Sequence, residues 1–174
     1  GSVSEKYAPY AEQQNTWVID NSSFFRMDKD VPLVIPEINP DDILKASSRK
    51  LIANPNCTTA IMLMGLYAIH REKKIERIII SSYQSVSGAG KEAMHELEEQ
   101  IRQIYSGENI EPKAIAHQIA FNVVPHIDNF AEGETFSGEE KKISQEVKKI
   151  LGDDSIAVAA TTVRVPVFIG HGES

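Results

Sequence analysis

With 174 residues, 41% hydrophobic and 25% charged, the chain has the ordinary composition of a globular protein with a sizeable core. A formal net charge of -7, a sequence pI near 5.3 and no basic block exclude a general nucleic-acid or anionic-membrane surface, though not a small cationic pocket. The single cysteine rules out an internal disulfide, no uncharged apolar run approaches the roughly 20 residues of a membrane span, and no charged-then-apolar leader opens the sequence, so a reducing cytoplasm is the expected setting.

Residues 3–14 predict a helix, and "TWVIDNSS" a short strand stopped by turn formers at Asp20, Asn21, Ser22 and Ser23. "DVPLVIPEINP" reads as extended, because prolines at 32, 36 and 40 exclude helix. "RKLIAN" predicts a strand running into a Pro55-Asn56 turn, and Thr58 to about Arg71 a helix, apolar nearly all round and so expected to be buried on several sides. "IERIIISSYQ" predicts a β-branched strand, "SVSGAG" a glycine loop, and Lys91 to Tyr105 an amphipathic helix with Met94, Leu97, Ile101 and Ile104 on one stripe.

"AIAHQIAFNVVPHI" has strand character. "SGEEKKISQEVKKILGD" predicts a helix with a Ser137-to-Glu140 capping box and Gly152 as its stop. "IAVAATTVRVPVFIG" predicts a long strand in which Pro166 marks an edge or a bulge. Strands and helices alternate throughout, which points to an α/β or α+β sheet domain without repeats. The absence of a clear first strand, and the ending "GHGES" straight after a strand, suggest a fragment of a larger protein.

Cys57 falls at the N-cap or first turn of a predicted helix, where unpaired N–H groups and the helix dipole favour a thiolate. From the residues alone two readings stay open: a small buried hydrophobe, or a nucleophile aimed by the rigid Asn54-Pro55-Asn56 turn. A nucleophile needs a proton carrier. His70 and His95 sit among charged helix residues and read as surface groups, and His117 as a satisfied core residue. His126 and His171 end apolar strands, where loops carry site residues, and His171 lies between Gly170 and Gly172.

Gly88 and Gly90 precede a helix and offer backbone N–H groups for a phosphate, but the spacing fits neither a P-loop nor a dinucleotide fingerprint, so the signal is weak and a plain strand-to-helix turn is the simpler reading. Glu146 and Lys149 share a helix face and read most simply as a solvated ion pair. Arg164, in the apolar strand "TTVRVPVF", is expected to meet a fixed carboxylate or an anionic ligand. Arg26 stands beside two phenylalanines and has the simpler alternative of packing its stem on them with its head in water.

Six segments in this order, "VIDNSSFFRMDKDVPLVIPEIN", "ANPNCTT", "SSYQSVSGAGKEAMHEL", "AFNVVPHID", "QEVKKILG" and "TTVRVPVFIGHGES", resemble the aspartate-β-semialdehyde dehydrogenase family over nearly the whole chain. The resemblance implies an α/β (α+β) fold: residues 1–53 as the C-terminal part of a Rossmann-type nucleotide-binding domain, and 54–174 as a truncated catalytic and dimerisation domain of the glyceraldehyde-phosphate-dehydrogenase kind. It implies Cys57 as the thiol, His171 as acid/base, and Gln84 as the residue orienting the acyl group. It places Arg164 on the substrate α-carboxylate, Glu146 on the amino group, and Lys149, Arg26 and Asn56 around the phosphate. Ser87 and Gly88 would approach an NADP(H) cofactor, with no metal.

The implied reaction is NADPH-dependent reductive dephosphorylation of L-aspartyl-4-phosphate to the semialdehyde through a thioacyl enzyme, in the biosynthesis of lysine and diaminopimelate, methionine, threonine and isoleucine. The implied assembly is a homodimer or a dimer of dimers, and the isolated chain is expected to bind NADPH poorly and turn over little. An N-acetyl-glutamyl-phosphate reductase relative is the nearest rival, but its usual Asn-Pro-Gly-Cys setting differs from Asn56-Cys57-Thr58-Thr59 here. An inactive oligomerisation fragment fits the truncation, whereas a cysteine hydrolase would leave the glycine loop and the cations unexplained.

Overall fold

Helix α1 (Ser2–Gln13) and strand β1 (Val18–Asp20) form where the pattern predicts them, and α1 packs against β1. Strand β2 (Leu51–Ala53) lies parallel to β1, with Val18 opposite Leu51 and Asp20 opposite Ala53. The computed structural model describes residues 1–174 and divides them into two compact units, Gly1–Ile78 with Lys142–Val158, and Ile79–Lys141 with Ala159–Ser174. Its mixed α/β content agrees with the fold class expected from the sequence.

In the first unit the proline-rich stretch is extended only at its start, where Leu33 bridges Ala53 beside β2. The chain then turns, with the Ile38 N–H donating to Ile35 O at 2.9 Å, and Pro40 opens a 3-10 helix, Pro40–Ser47. Proline disfavours helix interiors, although α1 accommodates Pro9, and it suits a first turn, whose N–H groups have no partner to lose; three evenly spaced prolines therefore mark boundaries as much as extension.

Helix α2 (Cys57–Glu72) departs from expectation in burial: Thr58, Thr59, Met62 and Leu63 are covered, whereas Ile61, Met64 and Ile69 are exposed. An apolar pattern around a helix says that its sides prefer cover, and this chain covers one of them.

The second unit is built on a three-stranded mixed sheet in the order β4-β3-β5. Strand β3 (Arg77–Gln84) enters it at Ile79, and strand β5 (Gly172–Glu173) pairs antiparallel with it, Ser82 opposite Glu173. Strand β4 (Ala157–Arg164) runs parallel to β3, since the Ala157 N–H bonds Glu76 O at one end and the Val165 N–H bonds Gln84 O at the other. The long predicted strand stops at Arg164: Pro166, which has no N–H, follows one residue past the ladder, and β4 is an edge strand.

Between β3 and helix α3 (Lys91–Ser106) the glycine loop is a 3-10 turn, Val86–Ala89, closed by Gly90 at φ +97°. Met94, Ile101 and Ile104 of α3 pack on a core of Val86, Ala93, Leu97, Ile115, Ile119, Ala120 and Val124, as the stripe predicts. The strand expected at "AIAHQIAFNVVPHI" does not form. Its N–H groups at Ile119 and Ala120 go to Gln100 Oε1 at 2.8 and 3.0 Å, and those of Lys113 and Ala114 to the Glu96 carboxylate. Side chains of α3 thus stand in for a neighbouring strand, Phe121 turns the backbone at φ +57°, and only Val124 bridges β4 at Arg164. His117 is accordingly exposed, not a core residue, and lies against His126, which packs edge-on to Phe130.

Helix α4 (Gly138–Leu151) spans both units. The predicted capping box is complete: the Ser137 N–H donates to Glu140 Oε2 at 2.9 Å, the Glu140 N–H to Ser137 Oγ at 3.3 Å, and Gly152 stops the helix at φ +63°.

Candidate active site

In the first unit the Asn54-Pro55-Asn56 turn is fixed from three directions. The Asn54 N–H donates to Asp20 O at 2.8 Å, the Asn56 N–H to Glu146 Oε2 at 2.7 Å, and Asn56 Oδ1 caps α2 by accepting from the Thr58 N–H at 2.8 Å. Asn56 is therefore the N-cap, and Cys57 is the first residue of the helix with an exposed side chain. That exposure sets aside the buried-filler reading: the thiol faces solvent at a helix N-terminus, where an anion is favoured.

Arg26 does not hold its head in water, the alternative its sequence left open. It is 9% exposed and donates to Glu146 Oε1 at 3.1 Å, to Asn54 O at 2.9 Å and to Asn21 O at 3.1 Å. Glu146, 1% exposed, thus holds Arg26 with one oxygen and the backbone of the Asn56 cap with the other. Burial pushes the Glu146 carboxyl above its ordinary pKa, against the Asn56 hydrogen bond and the Arg26 charge, which act to lower it.

Lys149 is no solvated partner of Glu146 either. Its ammonium donates to the carbonyls of Arg26, Asp28 and Val31 at 2.7, 2.7 and 2.8 Å. With three donors and three acceptors, Lys149 ties down the segment that carries Arg26.

In the second unit the buried face of the sheet changes character along the strands. Ile80 and Ala160 give way to Ser82, Gln84, Thr162 and Arg164 at the carboxyl ends of β3 and β4, the end at which open α/β sheets bind ligands. Arg164 donates to Ser85 O at 2.8 Å and reaches Gln84 Oε1 at 3.5 Å. His171 Nδ1 accepts from the Ser85 N–H at 3.1 Å and lies 3.0 Å from the Ser85 hydroxyl. A ring nitrogen that accepts from a backbone N–H carries no proton, so the neutral ring holds its proton on Nε2. Burial first, and then the Arg164 charge, lower the His171 pKa, with the Glu139 carboxylate opposing them.

The Ser87-Gly88 turn sits against this cluster. A Cβ on Gly88 would stand 2.9 Å from Arg164 Nη1 and 3.1 Å from His171 Nε2, so a side chain there would displace both groups. The loop is not a phosphate cradle, because the N–H groups of Val86, Ser87, Gly88 and Gly90 go to Val167 O, Phe168 O, Ser85 O and Ser87 O.

Within one unit the structure thus brings together Arg26, Asn56, Cys57, Glu146 and Lys149, and within the other Gln84, Ser87, Gly88, Arg164 and His171. Two participants escape a reading of the sequence. Ser85 holds His171, and buried Glu139 accepts from Gln84 Nε2 at 3.2 Å. The signal for Glu139 was its place inside the Ser137–Glu140 capping box, in a first turn that favours carboxylates.

The family models that match describe a "Semialdehyde dehydrogenase, NAD binding domain" over residues 1–46 and a "Semialdehyde dehydrogenase, dimerisation domain" over residues 66–174. An aspartate-semialdehyde dehydrogenase of Shewanella sp. (strain DB6705) is 53% identical over all 174 residues, which cover 51% of that protein. The crystal structure of aspartate semialdehyde dehydrogenase II from Vibrio cholerae, described as complexed with ASA, superposes with a TM-score of 0.96 at 47% identity, over 99% of this chain and 51% of that one. The Candida albicans enzyme, described with NADP, gives 0.69 at 26% identity, over 99% of this chain and 46% of that one. The chain spans about half the length of the curated relatives it matches. With the dimerisation-domain model alone covering residues 66–174, the chain belongs to the semialdehyde dehydrogenase family.

Proposed function

We propose that this sequence supplies the thiol and the substrate clamp of an aspartate-semialdehyde dehydrogenase, with residues 1–53 closing a nucleotide-binding domain and 54–174 forming most of a catalytic and dimerisation domain. The observation that carries the reading is the exposed Cys57 thiol at the Asn56-capped start of α2, with the cap held to buried Glu146. In this reading the Cys57 thiolate attacks the acyl carbon of L-aspartyl-4-phosphate, the C–O bond to phosphate breaks, and inorganic phosphate leaves a thioester on the sulfur. Arg164 pairs with the substrate α-carboxylate, Arg26 and Asn56 border the phosphate, and Glu146 receives the amino group. Lys149 serves this end by holding the segment of Arg26.

Ser87 and Gly88 would border the nicotinamide of a bound cofactor, which would supply the hydride for the thioester carbon. The committed N–H groups of the 85–90 loop suit no dinucleotide phosphate, so the rest of NADP(H) is held by other residues. As an imidazolium, His171 gives its Nε2 proton to the oxygen of the reduced adduct and takes it back as the C–S bond breaks, releasing the semialdehyde and the thiolate. Its lowered pKa makes that imidazolium a readier proton donor. The setting is cytoplasmic amino-acid biosynthesis towards lysine and diaminopimelate, methionine, threonine and isoleucine. The assembly is a homodimer or dimer of dimers, which the dimerisation-domain match supports.

An enzyme of the relatives' full length that carries this sequence is expected to reduce NADP when given aspartate semialdehyde and phosphate, and Cys57→Ala to abolish the reaction. Turnover persisting in Cys57→Ala would remove the thiol mechanism. The 174-residue chain alone is expected to show little or no turnover, and full-length-like activity from it would overturn the division of labour proposed for residues 1–53.

A further inference from the structure

Gln84 stands between two groups whose hydrogen-bonding roles cannot be exchanged. A carboxylate only accepts and a guanidinium only donates, so an amide lying between Glu139 and Arg164 has one self-consistent orientation. Gln84 adopts it: Nε2 donates to Glu139 Oε1 and to Ser82 Oγ, each at 3.2 Å, and Oε1 faces Arg164 Nη1 at 3.5 Å. Ser82 cannot set this orientation by itself, because a hydroxyl donates or accepts equally well. We propose that Glu139 is a positioning residue of the active site, which fixes the Gln84 amide with its carbonyl towards Arg164 and balances the Arg164 charge at His171.

The placement of Glu139 supports both roles. It is the second residue of α4, 7% exposed, in a first turn whose N–H groups and dipole stabilise a buried carboxylate. The neighbouring Glu140 fixes the helix start to the sheet, because the oxygen not used in the capping box accepts from the Thr162 N–H of β4 at 3.1 Å. Glu139 is thereby carried on a docked helix end, not on a mobile loop. The charges acting on His171 come from separate elements, Arg164 on β4 and Glu139 on α4, and the neutral Ser85 on the loop contacts the ring, with Glu173 two residues further along the chain in β5. Arg164 and Glu139 act on the ring in opposite senses.

The proposal rests on the function above for its catalytic consequence but not for its electrostatic one, and two measurements separate them. The first follows His171 by NMR titration in the 174-residue chain, comparing wild type with Glu139→Gln and Glu139→Ala. Both variants remove the charge, so the His171 midpoint is expected to fall by several tenths of a pH unit or more in each. The second is steady-state kinetics of the same variants in an enzyme of full length. Glu139→Gln keeps an oxygen for Gln84 Nε2 and is expected to retain kcat within about threefold, with the pH limb that His171 governs moved to lower pH. Glu139→Ala loses the amide's anchor as well and is expected to lose about tenfold or more in kcat, beyond any change in KM.

Circular dichroism identifies a variant that fails to fold, and the isosteric Glu139→Gln titration then decides the electrostatic half. An unchanged His171 midpoint in folded Glu139→Gln, or wild-type kcat in folded Glu139→Ala, overturns the proposal. A full-length wild type that does not turn over aspartate semialdehyde overturns the function, while the titration still decides the role of Glu139.

Discussion

Arg26 and Arg164 are both buried guanidiniums, yet their surroundings do different things with the charge. Arg26 meets a carboxylate, Glu146, whose second oxygen holds the backbone of the helix cap that presents Cys57. Arg164 donates to oxygens of Ser85 and Gln84, and its field reaches the half-buried His171 ring, whose pKa it lowers. A cation matched by a buried carboxylate is spent on architecture. A guanidinium beside a titrating ring also lowers that ring's proton affinity.

Three variants probe that contrast. The largest effect is expected from Glu146→Gln, which leaves the Arg26 guanidinium buried without its carboxylate. A stability loss of about 3–5 kcal/mol is expected for breaking such a pair, measured by urea unfolding. A loss below about 1 kcal/mol would mean that Arg26 can rest on the Asn54 and Asn21 carbonyls alone. Next comes Gly88→Ala, which inserts a methyl 2.9 Å from Arg164 Nη1 and 3.1 Å from His171 Nε2. It is expected to cost about 1–3 kcal/mol by overpacking and to move the His171 resonances. Unperturbed His171 signals would show that the cluster is looser than its distances imply.

The smallest effect is expected at Glu173. Its carboxyl oxygens are buried without a hydrogen-bond partner, and burial pushes its pKa up to about 7 from 4.5. A carboxyl whose folded pKa is raised contributes stability that is fully present below pH 4.5 and is lost as pH rises through about 7. Glu173→Gln should therefore raise Tm at pH 8 and leave it nearly unchanged at pH 4.5. Equal effects at both pH values would show that the residue does not titrate in that range.

Local signals were read well from the sequence. The Ser137–Glu140 box, the stripe of Met94, Leu97, Ile101 and Ile104, and the stop at Gly152 depend on neighbours within one or two turns, and each lies where the residues put it. Readings that needed a distant partner failed. "AIAHQIAFNVVPHI" has the composition of a strand, but Glu96 and Gln100 of α3 take its backbone donors. Lys149 and Glu146 share a helix face, as their spacing requires, yet burial and the 26–31 segment make them anchors, not a surface pair.

What the sequence by itself determined is the chemistry carried in short words: a thiol one residue past an Asn-Pro-Asn turn, lone arginines among apolar neighbours, and a histidine between glycines. Spacing of that kind fixes local backbone geometry, because caps and turns are closed by residues two to four apart. Only the tertiary structure decided which charge faces which. The Arg26–Glu146 pair joins residues 120 apart in sequence, and Gln84–Glu139 residues 55 apart. No periodicity encodes such pairings, since they arise from the docking of α4 within each unit and from the need of every buried charge to find a partner of fixed hydrogen-bonding role.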